Sequence, residues 1–175
     1  ANDREATGIV EEVAPGVRMI RDFENDKMYL VTGSQRALLI DAGMGSGDLR
    51  GYIPPFLRGL PLAVVITHAH PDHIARIDQF QLDCDVFMHH GDLPMLRRFA
   101  QTMYPAIRPK NMVDLCDGFL FDLGDRKLRV YEVPGHSRGC VCFYFPALPA
   151  LFCGDTLFRE SVGRTDLPGG DFEAL

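Results

Sequence analysis

The segment Thr67-His68-Ala69-His70-Pro71-Asp72-His73 packs three imidazoles and a carboxylate into six residues. It follows directly on Leu62-Ala63-Val64-Val65-Ile66, an apolar run with the character of a buried strand. Ionisable groups crowded at the end of a core strand need partners, and they make poor partners for one another unless a cation intervenes. The run therefore reads as H-x-H-x-D-H, a ligand set for two adjacent metal ions. His68 and His70 stand two apart in extended chain, so both side chains leave on one side and can grip one ion. Pro71 fits the first turn of a helix, where its missing N–H costs nothing. Asp72 and His73 lie on that turn and point elsewhere, toward a second ion. The helix is expected from Pro71 to about Leu82, with Ile74, Ile77 and Phe80 on one face. Its positive end faces the site and favours an anion there.

Two further ligands stand where this reading needs them. Tyr131-Glu132-Val133-Pro134-Gly135-His136 puts a histidine just past a strand, after a Pro-Gly break. Leu151-Phe152-Cys153-Gly154-Asp155-Thr156 puts a carboxylate just past another strand. A zinc ion on His68 and His70 alone is under-coordinated, and His136 supplies a third protein ligand. Asp155 has two oxygens and can bridge both ions.

The succession H-x-H-x-D-H, P-G-H and G-D-T-L-F resembles the motif pattern of the metallo-β-lactamase fold superfamily. The tail Gly163-Arg164-Thr165-Asp166-Leu167-Pro168-Gly169-Gly170-Asp171 is similar to its glyoxalase II-like (hydroxyacylglutathione hydrolase-like) branch, and the resemblance runs from about Tyr29 to Leu175. It implies that His68, His70 and His136 hold metal 1, that Asp72 and His73 hold metal 2, and that Asp155 bridges. It further implies two zinc ions, with iron or manganese as substitutes, and a metal-bridging hydroxide as nucleophile that Asp72 helps to orient. Asp41, in Leu38-Leu39-Ile40-Asp41-Ala42-Gly43, matches an aspartate that orients the ligand cluster from outside it. The implied substrate is a thioester of the S-acylglutathione type, cleaved to a hydroxy acid and a thiol. Alternatives on the same fold are a persulfide dioxygenase relative, with one iron on His68, His136 and Asp155, and a lactonase or other ester hydrolase. The non-enzymatic alternative is a truncated metal-binding scaffold without turnover.

The chain departs from that family in one respect. Members carry a final metal-2 histidine beyond the G-D motif, and here none of His68, His70, His73, His89, His90 and His136 follows His136. Gly169-Gly170-Asp171 reads as a turn plus an N-cap, so a helix is expected to start at Phe172. The expectation is a C-terminally truncated chain lacking a helix, a strand and the last ligand. Its open sheet edge would invite self-association.

The elements that must position these groups follow from patterning. Strands are expected at 9–13, 17–21, 28–32, 37–41, 63–67, 85–88, 119–123, 127–132, 140–145 and 151–153. Helices are expected at 49–57, 71–82 and 93–101, with Asp92 as N-cap of the third. His89 and His90 read as strand-end or capping groups, and 103–113 as a loop interrupted by Pro105 and Pro109. Two groups of strands with helices outside predict an α/β fold, an αββα sandwich, with the site at one edge where strand-end loops converge.

At 175 residues and 46% hydrophobic, one domain over 1–175 with a single sizeable core is expected. A net charge of −6 disfavours nucleic acid as a partner. No apolar stretch is long enough to cross a bilayer. The polar start Ala1-Asn2-Asp3-Arg4-Glu5 has no signal-peptide core, and five cysteines in no disulfide pattern suit a reducing compartment, so a cytoplasmic location is expected. Cys140 and Cys142 point to one face of a strand and read as small buried hydrophobes. Arg159 and Arg164 flank the G-D-T loop and are candidates for holding an anionic group of the acyl-thiol substrate.

Overall fold

The computed structural model describes residues 8–175, so the polar start lies outside the described residues. The first half of the chain builds strands β1 (Ile9–Ala14), β2 (Val17–Arg21), β3 (Lys27–Thr32) and β4 (Ala37–Ile40) as an antiparallel meander. Helices α1 (Leu49–Tyr52) and α2 (Pro54–Leu57) then lead to β5 (Leu62–Val65), and α3 (Pro71–Ile74) to β6 (Val86–His89). Helix α4 (Leu93–Thr102) leads to β7 (Met112–Leu115). Strands β4 to β7 pair in parallel, which completes a seven-stranded sheet in sequence order. The second sheet is antiparallel, ordered β11 (Ala150–Phe152), β10 (Val141–Phe145), β9 (Lys127–Glu132) and β8 (Leu120–Asp122). A small hairpin, β12 (Leu157–Phe158) and β13 (Ser161–Val162), follows.

Alternation in β4 shows how the layers form. Ala37 and Leu39 pack into the core beneath the helices, while Leu38 and Ile40 pack into the core between the sheets. A strand buried on both faces reads as a continuous apolar run, as β4 does. Strand β9 is half-buried instead: Leu128 and Val130 face inward, while Lys127, Arg129 and Tyr131 are exposed. Leu49, Ile53, Ile74, Ile77, Phe80 and Leu96 cover the outer face of the first sheet. Among the described residues no helix covers the outer face of the second. The order is the expected αββα plan, with the helical layer seen on the first sheet only.

Local departures from the sequence reading have physical causes. The helix expected at 49–57 breaks into α1 and α2, because Pro54 and Pro55 have no N–H for the carbonyls one turn back. The helix expected at 71–82 ends at Ile74. The His73 carbonyl accepts the Ala42 N–H at 2.9 Å, so it is taken from the helical ladder, and a 3₁₀ turn follows at Ile77–Gln79. Strand β7 occupies part of the expected loop: its four residues gain their order from parallel pairing with β6. Residues 172–174 form a turn, not a helix, and Asp171 accepts the Glu173 N–H at 3.0 Å. No described helix is long and apolar enough to cross a membrane.

Candidate metal centre

Four strand ends meet at one edge of the sandwich. Asp41 follows β4, His68 and His70 follow β5, His136 follows β9 and Asp155 follows β11. Backbone bonds hold these loops together. The Asp41 N–H donates to the Val65 carbonyl at 2.8 Å, and the Val141 N–H donates across the sheets to the Thr67 carbonyl at 2.9 Å. Gly154, at φ +49°, lets the loop after β11 approach: a Cβ there would stand 2.5 Å from Thr67 Oγ1. That approach brings Asp155 beside the histidines.

The side chains form two overlapping donor sets, His68 with His70 and His136, and His68 with His73 and Asp155; within each set the donor atoms lie within 4.8 Å of one another. His70 Nδ1 and His136 Nε2 are 2.9 Å apart. Asp155 spans the two sets, with Oδ1 3.4 Å from His73 Nε2 and Oδ2 3.7 Å from His136 Nε2. Asp72 Oδ2 is 3.4 Å from His73 Nε2 on the open side.

Neighbouring groups aim the rings. His136 Nδ1 donates to the Arg164 carbonyl at 2.7 Å, which leaves the Nε2 lone pair facing the cluster. His73 Nδ1 donates to Asp41 Oδ2 at 2.8 Å. Asp41 also accepts the Thr67 N–H and hydroxyl, each at 2.8 Å. With its hydroxyl proton given to Asp41, Thr67 Oγ1 accepts from His68 Nδ1 at 3.1 Å. His68 Nε2 is then a buried lone pair with no hydrogen-bond partner. Such an orphaned acceptor, aimed at other nitrogen and carboxylate donors, fits a cation.

The electrostatics of the two sets differ. Burial, joined by the charges of His73, His70 and His136, pushes His68 well below the ordinary histidine value, and burial also lowers His70. Burial acts to lower His73 too, but the Asp41 carboxylate, with Asp155 and Asp72, outweighs it and holds His73 well above that value. Asp72 is raised by burial yet ends below the ordinary carboxylate range, because it hydrogen-bonds to His73 and feels its charge.

A cleft of about 740 Å³ opens on the acidic set. Its walls include Val17, Tyr29, Ala150, Phe152 and Phe158, and Lys27 and Arg159 stand at it with Asp72 and Asp155. The structure brings Arg159 to this cleft but not Arg164, whose guanidinium pairs with Asp166 at 2.8 and 2.7 Å and contributes only its backbone carbonyl to the site. His89 caps the turn after β6 by accepting the Gly91 N–H at 3.1 Å, and His90 pairs with Asp114 at the surface.

Asp92 and Arg76 support the site without a signal in the sequence. Asp92 makes no capping bond to α4; its carboxylate is turned into the protein. Arg76 donates Nε–H to the Ala42 carbonyl at 2.7 Å and Nη2–H to buried Asp22 at 2.8 Å, which fixes the residue after Asp41.

A family model described as the metallo-beta-lactamase superfamily matches residues 22–175. The chain belongs to this superfamily. It is 33% identical over 161 residues to YqgX, a probable metallo-hydrolase of Bacillus subtilis (strain 168), covering 84% of this chain and 73% of that protein. It is 31% identical over 167 residues to the acyl-coenzyme A thioesterase MBLAC2 of Gallus gallus, covering 77% of this chain and 58% of that protein. The solved structure of TTHA1623 in a di-iron-bound form matches with a TM-score of 0.71 and 32% identity, over 95% of this chain and 81% of that one.

Proposed function

We propose that this chain is a dinuclear metal-dependent hydrolase that cleaves thioesters of small acyl-thiols. The observation that carries the reading is Asp155, whose two oxygens face the two halves of the donor cluster. His68, His70 and His136 would hold the first ion; Asp72 and His73 would hold the second, with Asp155 shared. Zinc suits imidazole and carboxylate donors, and iron or manganese could replace it. When bound, such ions lower the pKa of water toward neutrality and polarise a carbonyl.

The protein's own groups account for the rest. Asp72 is held ionised beside His73 and accepts a hydrogen bond from the attacking water, which orients it toward the thioester carbonyl. Asp41 keeps the His73 ring fixed through Nδ1. The new C–O bond forms as the C–S bond breaks, and the departing thiolate takes up the proton that the water gives up. The apolar wall of Val17, Tyr29, Phe152 and Phe158 receives the acyl group, and Lys27 or Arg159 pairs with an anionic part of the thiol carrier. Support for a thioester comes from the relative described as an acyl-coenzyme A thioesterase.

Thiol release from a series of S-acyl thiols, measured with a thiol-trapping dye alongside metal content, tests this. The expected result is zinc-dependent release that is lost to a chelator and restored by the metal. A chain carrying its full metal complement that releases no thiol, or that consumes oxygen with a persulfide, contradicts it.

A further inference from the structure

Asp92 is 1% exposed, and among the described residues no cationic side chain pairs with it. Its charge is held by three donors instead. Oδ2 accepts the Ala69 N–H at 2.9 Å and the Ser137 hydroxyl at 2.7 Å, and Oδ1 accepts the Gly139 N–H at 2.8 Å. Ala69 stands between His68 and His70, and Ser137 follows His136. One carboxylate therefore grips both loops that carry the three imidazoles.

The contact is close on every side. A Cβ on Gly139 would stand 2.6 Å from the Asp92 backbone nitrogen, and one on Gly91 would stand 2.8 Å from the Arg138 carbonyl oxygen. The turn holding Asp92 thus touches the His136 loop backbone to backbone. An amide in place of the carboxylate offers one acceptor oxygen and would turn its own N–H groups toward the donors. The N-terminus of ten-residue α4, where Asp92 sits, favours the negative charge.

We propose that Asp92 is the positioning residue that locks the loop bearing His68 and His70 to the loop bearing His136, holding the three imidazoles in register for a metal ion. The inference rests on the metal reading given above. Removing groups that orient ligands costs about 10–100-fold in metal affinity, and Asp92 orients two ligand loops at once.

Zinc affinity, measured by competition with a chromophoric chelator, is compared between the unaltered protein, Asp92→Asn, Ser137→Ala and His90→Ala. Cobalt(II) absorption reports the ligand geometry in each. Asp92→Asn is expected to weaken binding of the first ion by about 10–100-fold and to change the cobalt bands. Ser137→Ala removes one donor of three and should act in the same direction to a smaller extent, which decides the matter if Asp92→Asn does not fold. His90→Ala, at the surface beside Asp114, should leave both affinity and bands unchanged. Unchanged affinity and cobalt bands in the folded Asp92 and Ser137 variants, with zinc bound by the unaltered protein, overturn this inference alone. If the unaltered protein binds no zinc, the metal reading falls and this inference with it.

Discussion

His68, His70 and His136 are buried imidazoles on loops that one carboxylate ties together, whereas Asp72 and Asp155 leave 41% and 29% of their side chains open around His73. The first half is built of imidazoles alone and is enclosed. The second is acidic and faces the cleft. Rigid scaffold geometry favours tight retention of an ion in the first half. Charge and access dominate the second, which the cleft leaves open. Asp155 is the side chain that belongs to both.

Loss of Asp155 should therefore have the largest effect. Asp155→Ala is expected to lower metal content in both halves and to reduce thioester hydrolysis by more than about 100-fold, above the range for groups outside the ligand set. Metal analysis with initial rates checks this, and loss from one half alone would break the comparison.

Asp41→Asn should act on one half only. Asparagine tolerates the positive φ of 64° at this position, so the backbone is spared. The lost charge beside His73 should weaken the second ion by about 10–100-fold while the first is retained. Equal weakening of both ions would show that Thr67 transmits the change to His68.

Acidity sharpens the contrast further. In the metal-free protein, ¹⁵N imidazole shifts should show His68 still neutral below pH 6.5, where an unfolded histidine would be half protonated, and His73 still protonated above it. His73, with its raised value, contributes stability that is full below about pH 6.5 and is lost as pH rises through its folded value. His68, with its lowered value, contributes stability that is full above about pH 6.5 and is lost as pH falls through its folded value. The opposite order of titration would contradict the division.

The smallest effect belongs to the outlying pair. His89 and His90 cap and decorate the turn after β6, and alanine at either should leave metal content unchanged.

The gathering of His68, His70 and His73 was legible because they crowd into a short run after an apolar strand. Except for β7, which no local pattern announces, the strands of both sheets were legible from alternation, as in β9, or from continuous apolarity, as in β4. Asp92 carries only the local signal of an ordinary cap, its position before a helix. Its actual partners stand 23, 45 and 47 residues away, and two are backbone N–H groups that no residue type announces. Arg76 was hidden in the same way, since its ion pair with Asp22 spans 54 residues. The early end of α3 also lies outside local pattern, because the competing donor is the backbone of Ala42. The pairing of Arg164 has a local signal in the sequence: Asp166, two residues on, takes its guanidinium.

Central to this division is a pair of ions held by unequal halves. Stepwise zinc titration of the metal-free protein, with ions bound and thiol release measured at each step, tests this most directly. Uptake should break at one and again at two ions per chain, with hydrolysis rising on the second step, and a chelator should remove the second ion and the activity first. Saturation at a single ion per chain with full thiol release would contradict it.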